Sequence, residues 1–179
     1  MSLVYRAILT CRPNGLHQAH RRFAGCQELL ELCQVSTDKT VLNIGCGAGT
    51  TTTFIVENYG CHVVGVDIKG NMIESAMSWV ERKGVAGKTE FKVADAQDLP
   101  FDEGIFDILI CESVNIFFPE IVKAFKEYKR VVKPGGVEGL NEPVLSKAPP
   151  ANAGNYWRIL LDMISCPYLG GRFYWRERD

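Results

Sequence analysis

The sequence has no C-x-x-C pair, no apolar run near the roughly twenty residues needed to cross a bilayer, and no excess of either charge. Each absence excludes a class. Seven cysteines, an odd number, lie at positions 11, 26, 33, 46, 61, 111 and 166; without metal-ligand spacing they argue against a zinc site or a disulfide framework, and for reduced thiols in the cytoplasm. A formal net charge of -1 leaves no electrostatic case for nucleic acid, and the basic clusters Arg21-Arg22 and Lys126 to Lys133 read as solvated helix faces. The N-terminus shows no charged stretch leading into an apolar one, so neither a signal peptide nor a membrane partner is expected. The dinucleotide fingerprint G-x-G-x-x-G is also missing: counting from Gly45 and Gly47, its third glycine would fall at Thr50. No internal repeat and no low-complexity linker interrupts the chain.

What is present is ordinary globular composition, 46% hydrophobic and 23% charged over 179 residues, enough for one domain with a substantial core. Five β-branched apolar runs, about Thr40–Ile44, His62–Asp67, Thr89–Ala94, Asp107–Cys111 and Val137–Asn141, alternate with helical patterns. The helices are expected at about Leu16–Cys33, Thr50–Tyr59, Gly70–Lys83 and Pro119–Val132, with a loop around Gln97–Leu99 and a last amphipathic helix at Asn155–Ser165. Strands this apolar, separated by helices, imply a parallel sheet covered on both faces: a three-layer, doubly wound α/β fold whose ligand crevice lies at the carboxyl ends of the strands.

The segment Val41 to Thr50 reads V-L-N-I-G-C-G-A-G-T. A strand that ends in three close glycines and opens a helix lets backbone N–H groups approach a ligand. Asp67, closing the next strand, can accept from both hydroxyls of a ribose, or can cap the helix that follows. Together they point to a nucleoside-cofactor site; the glycines alone would be satisfied by a tight turn. Cys46, between two of them, fits as a small residue.

The glycine spacing resembles motif I of the class I S-adenosylmethionine-dependent methyltransferases, and four further stretches extend the resemblance in the family's order. Val63-Val-Gly-Val-Asp67-Ile68 resembles the second strand with its ribose-binding acid. Phe91 to Phe101, reading F-K-V-A-D-A-Q-D-L-P-F, resembles the third strand and its adenine-side turn. Phe106-Asp-Ile-Leu-Ile-Cys111-Glu112 resembles the fourth strand, and Arg130-Val-Val-Lys-Pro134-Gly135-Gly136 the turn into the fifth. Pro13-Asn-Gly15-Leu16 is a looser match to a segment before motif I in the small-molecule, type-11-like branch.

The resemblance implies strand order 3-2-1-4-5, with residues 1–38 as a helical cap, 39–142 as the cofactor core and 143–179 as an incomplete C-terminal region. Too few residues follow the fifth strand for the family's last helix and two strands, so the C-terminal antiparallel strands are expected to be missing. That would leave the fifth strand at an edge through which copies of the chain associate.

The implied cofactor is S-adenosylmethionine, with S-adenosylhomocysteine as product and a small-molecule methyl acceptor. Gly45, Cys46, Gly47 and Gly49 would form the loop, Asp67 would hold the ribose and Ile68 pack on the adenine. Asp95 and the Ala96 N–H would meet the adenine edge, unless Asp95 is only a turn former. Glu112, near the sulfonium, is either a cofactor or substrate contact or a helix-start residue. Asn43 departs from the acidic residue usual there. If the acceptor needs a base, the candidates are His17, His20, Glu112 and Glu142. A non-catalytic cofactor-binding domain or inactive partner subunit is the main alternative, and an NAD-dependent dehydrogenase, disfavoured by Thr50, the second.

Overall fold

The computed structural model describes residues 5–11, 19–143 and 173–176, and the side chains of residues 25–115 and 117–141. In chain order the elements are β1 (Tyr5–Cys11), α1 (Ala19–Leu32), β2 (Thr40–Ile44), α2 (Thr50–Tyr59), β3 (His62–Asp67), α3 (Gly70–Lys83), β4 (Thr89–Val93), β5 (Phe106–Glu112), α4 (Ile121–Val131), β6 (Val132–Pro143) and β7 (Phe173–Arg176). Single 3₁₀ turns lie at Ala86–Lys88 and Asn115–Phe117.

The strands form one sheet in the order β4-β3-β2-β5-β6-β1-β7. Its first five positions are the expected 3-2-1-4-5 core, all parallel. Alternate residues of each strand serve opposite layers. Val41, Val63, Ile108 and Ile110 pack with Leu29 and Leu30 of α1 and Ile55 of α2. Leu42, Ile44, Val64, Val66 and Leu109 pack with Ala124, Tyr128 and Val131 of α4. Burying one such Leu or Ile contributes about 1.5–3 kcal/mol, so both faces of the sheet hold the helices over it.

The edge expectation is corrected. β6 is not an edge strand: β1 pairs with it in parallel from Tyr5↔Val137 to Cys11↔Pro143, and β7 adds an antiparallel strand on β1. One four-residue antiparallel strand is therefore present, and the N-terminal strand occupies the place beside the fifth. Association through an open fifth-strand edge loses its basis. β6 also starts earlier than expected, directly from α4. Its register with β5 jumps from Phe106↔Val132 to Ile108↔Val137, so the K-P-G-G stretch is a bulge within the strand, not a turn before it. The helix expected at Asn155–Ser165 lies outside the described residues.

Candidate cofactor site

The registers place Ile44, Asp67 and Glu112 at the carboxyl ends of adjacent strands. From Ile44 the chain turns through the glycine loop. The Cys46 N–H donates to Val66 O at 2.9 Å, prolonging the β2–β3 pairing past the end of β2. Gly45, Gly47 and Gly49 all adopt positive φ, of 62°, 52° and 81°. Three left-handed residues within five turn the loop back on itself, which side chains would resist.

Asp67 fastens this loop. The Gly47 N–H donates to Asp67 Oδ2 at 2.9 Å, and the Lys69 N–H to Oδ1 at 3.0 Å. The helix cap is Lys69, not Asp67. A carboxylate offers about four lone-pair positions, so each oxygen keeps one for a ligand.

A cavity of about 460 Å³ opens beside this pair. Its lining comes from three groups of residues: Gly45, Gly47, Asp67 and Ile68 from the ends of β2 and β3, Asp95, Ala96 and Gln97 after β4, and Val114 and Phe117–Pro119 after β5. Its walls are mostly apolar, and Ile68 and Phe117 stand 65% and 75% exposed. Charge around it is one-sided, with two carboxylates, Asp67 and Asp95, against one ammonium, Lys69. Such a field favours a ligand carrying positive charge over one carrying a pyrophosphate.

The loop that follows β4 is held by two devices absent from the sequence expectations. Asp95 Oδ1 accepts from the Gln97 backbone N–H at 2.9 Å, and the Gln97 side-chain amide reaches Oδ1 and Oδ2 at 3.1 and 3.2 Å. Further along, the Leu99 N–H donates to Glu127 Oε2 while Arg130 donates to the Leu99 and Phe101 carbonyls. Arg130 also forks onto both Glu127 oxygens, at 2.8 and 2.6 Å. These Arg130 hydrogen bonds are the main reason the Glu127 carboxyl is held below its usual range. The basic stretch at 126–133 is therefore not uniformly a solvated face: Arg130 staples the loop to α4, and Lys133 pairs with Asp107 at 2.9 Å.

Three expected site residues lie elsewhere. The Cys46 side chain is buried and turned away from the cavity lining, with its Sγ toward Gly65. Gly49 caps α2 and packs on Ala76. Glu112 does not line the cavity; it accepts from Thr51 Oγ1 at 3.0 Å and from Asn141 Nδ2 at 3.2 Å. Asn43 is buried and donates to Thr52 Oγ1 at 3.0 Å, which spends its amide on α2. His17 lies outside the described residues; His20 falls within α1 and Glu142 within β6, with side chains outside the described set.

Cysteines 26, 33, 46, 61 and 111 are buried and free of disulfides. Burial first, and the Asp67 charge second, push the Cys46 thiol from 9.0 up to about 12. Its contribution to stability is complete below the unfolded value of 9.0 and is lost as pH rises toward 12. At pH 8, iodoacetamide should therefore modify Cys46 about a thousandfold more slowly in folded than in urea-unfolded protein, read by peptide mass spectrometry. Equal rates would show the loop thiol to be open.

A family model described as a methyltransferase domain matches residues 41–136. An uncharacterized protein of Haemophilus influenzae is 38% identical over 57% of this chain and 41% of its own length. A sterol 24-C-methyltransferase of Aspergillus fumigatus is 32% identical over 68% of this chain and 32% of its own length. The chain thus spans well under half the length of these curated relatives. Among solved structures, geranyl diphosphate C-methyltransferase from Streptomyces coelicolor, in complex with Mg2+, geranyl diphosphate and S-adenosylhomocysteine, shares the fold: its TM-score is 0.61 at 22% identity, covering 65% of this chain and 45% of that one. With more than half of its residues under the family model, and with the five-strand core order and glycine loop described above, the chain belongs to the class I S-adenosylmethionine-dependent methyltransferases.

Proposed function

We propose that this chain transfers a methyl group from S-adenosylmethionine to a small organic acceptor. The observation that carries the reading is the convergence of the Gly45–Gly49 loop, Asp67 and Asp95 on one cavity. The residues fit the cofactor on three counts. A Cβ built on Gly47 meets nothing within 4 Å, so the loop backbone stands open to a ligand. Asp67 keeps acceptor capacity for a ribose diol after its two backbone bonds. The cavity falls in the size range of small-molecule sites, about 300–1,000 Å³, and its negative bias suits a sulfonium.

In this reading Asp67 holds the ribose, Ile68 packs on the adenine, and Asp95 with the Ala96 N–H meets the adenine edge. The sulfonium supplies the methyl group for an in-line displacement. The chain's part is to bind and orient, and to exclude water with the apolar wall of Val114, Phe117 and Phe118. The names of the Aspergillus and Streptomyces relatives specify a sterol and geranyl diphosphate, which supports an acceptor of small-molecule size.

One observation favours a second reading, a domain that binds the cofactor without turnover: Glu112 is engaged by Thr51 and Asn141 and does not line the cavity. Incubation with methyl-labelled S-adenosylmethionine and a panel of small hydroxyl, amine and isoprenoid acceptors decides between them. Label in an acceptor, with S-adenosylhomocysteine released, is the expected result. Cofactor binding with no label in any acceptor supports the second reading, and binding of NAD in its place overturns both.

A further inference from the structure

Gln97 makes more contacts than its turn requires. An Asp-initiated turn needs only the 2.9 Å bond from the Gln97 backbone N–H to Asp95 Oδ1, which any non-proline residue would supply. The side-chain nitrogen straddles the carboxylate, 3.1 Å from Oδ1 and 3.2 Å from Oδ2, with one N–H shared between them. Its own carbonyl, Oε1, accepts the Glu120 backbone N–H at 2.9 Å, at the residue preceding α4. The residue is only 9% exposed and lines the cavity with Asp95. A buried amide with its nitrogen on a carboxylate and its oxygen on a backbone N–H has one favoured orientation, donor toward Asp95 and acceptor toward the start of α4.

Counting lone pairs shows the consequence. Oδ1 of Asp95 takes the Gln97 backbone N–H and a share of the side-chain N–H, whereas Oδ2 takes only the shared contact and is the less committed acceptor. Asp95 is thereby fixed in orientation with Oδ2 as its freer acceptor, and a carboxylate brings no donor of its own. That matches the exocyclic amine of adenine and opposes the carbonyl of a 6-oxopurine.

We propose that Gln97 is the positioning residue that sets the site's preference for adenine, by holding the Asp95 carboxylate in one orientation and tying it to the start of α4. The inference rests on the reading of the cavity as the cofactor site. Phe117, Phe118 and Pro119 run directly into Glu120, so the same amide links Asp95 to the segment that carries these three lining residues.

The test is calorimetric titration of wild type, Gln97→Ala and Gln97→Glu with S-adenosylhomocysteine and S-inosylhomocysteine between about pH 5.5 and 8.5. Wild type should bind the adenine compound and discriminate against the hypoxanthine one. Gln97→Ala should weaken adenine binding about tenfold and lose most of that discrimination, in line with the loss of hydrogen bonds to a charged group. Gln97→Glu is the same shape as wild type. Protonated, it can donate to Asp95; ionised, it sets two carboxylates against each other, so its affinity should approach wild type at low pH and fall at least tenfold as pH rises. The nearby charged residues Asp67, Lys69, Asp98 and Glu120 are common to both proteins, so a slope confined to the variant belongs to position 97. A Gln97→Glu protein that tracks wild type across the range, or a Gln97→Ala protein with unchanged preference, overturns the inference. A wild type that binds neither compound overturns the reading of the cavity itself, and the inference with it.

Discussion

Asp67→Ala should weaken S-adenosylhomocysteine binding by about 2–4 kcal/mol, or roughly thirty- to a thousandfold, the range expected for hydrogen bonds to a charged acceptor. Two losses combine. The ribose loses its acceptor, and the Gly47 and Lys69 N–H groups lose the carboxylate that holds the glycine loop to the end of β3. The fold should persist, because Asp67 is only half-buried and belongs to neither core cluster. Asp67→Asn keeps one acceptor oxygen and should fall between wild type and Asp67→Ala. Calorimetry with a thermal melt on each protein checks this; an affinity unchanged in Asp67→Ala would remove the residue from the site.

Gly47→Val should abolish cofactor binding in a protein that still folds. With φ at 52°, a β-branched residue there costs about 1–3 kcal/mol of strain, but its Cβ meets no protein atom within 4 Å. What it fills is the space open to the cofactor. Gly45 makes the contrasting control. A Cβ at that position would run into the Val114 side chain, so Gly45→Val must displace the segment after β5 and should lower the melting temperature. Gly45 also lines the cavity, so the contrast is read on stability: Gly45→Val should lose thermal stability as well as binding, and Gly47→Val chiefly binding. Circular dichroism and titration on both variants read the difference, and normal binding by Gly47→Val would reduce the loop to a turn.

Much of this was legible in the chain because it is local. The strands Thr40–Ile44 and His62–Asp67 and the helices Thr50–Tyr59 and Gly70–Lys83 have the bounds that apolar periodicity and glycine placement predict. The alignment of Asp67 and Asp95 with the glycine loop follows from strand ends alone. What escaped depends on distant pairing. Tyr5–Cys11 carries no turn or glycine signal that marks it as a strand, and its place is set by a partner more than a hundred residues away, at Val137–Pro143. Arg130 resembled its basic neighbours, yet its guanidinium reaches back 29 to 31 residues to the loop carbonyls. Gln97 stood inside a recognised motif, but its role needs Glu120, 23 residues on, to be visible. Phe117 and Phe118 lie in a segment with no helical or strand period, so only the folded cavity shows them as its wall.

The central claim is that the cavity between Asp67 and Asp95 is the cofactor site. It is tested most directly by determining the structure of the chain with S-adenosylhomocysteine bound. The ribose hydroxyls should lie on the Asp67 carboxylate and the adenine amine on Asp95, with the ligand running over Gly47. Ligand bound elsewhere on the chain, or a saturating titration that leaves this cavity empty, would contradict it.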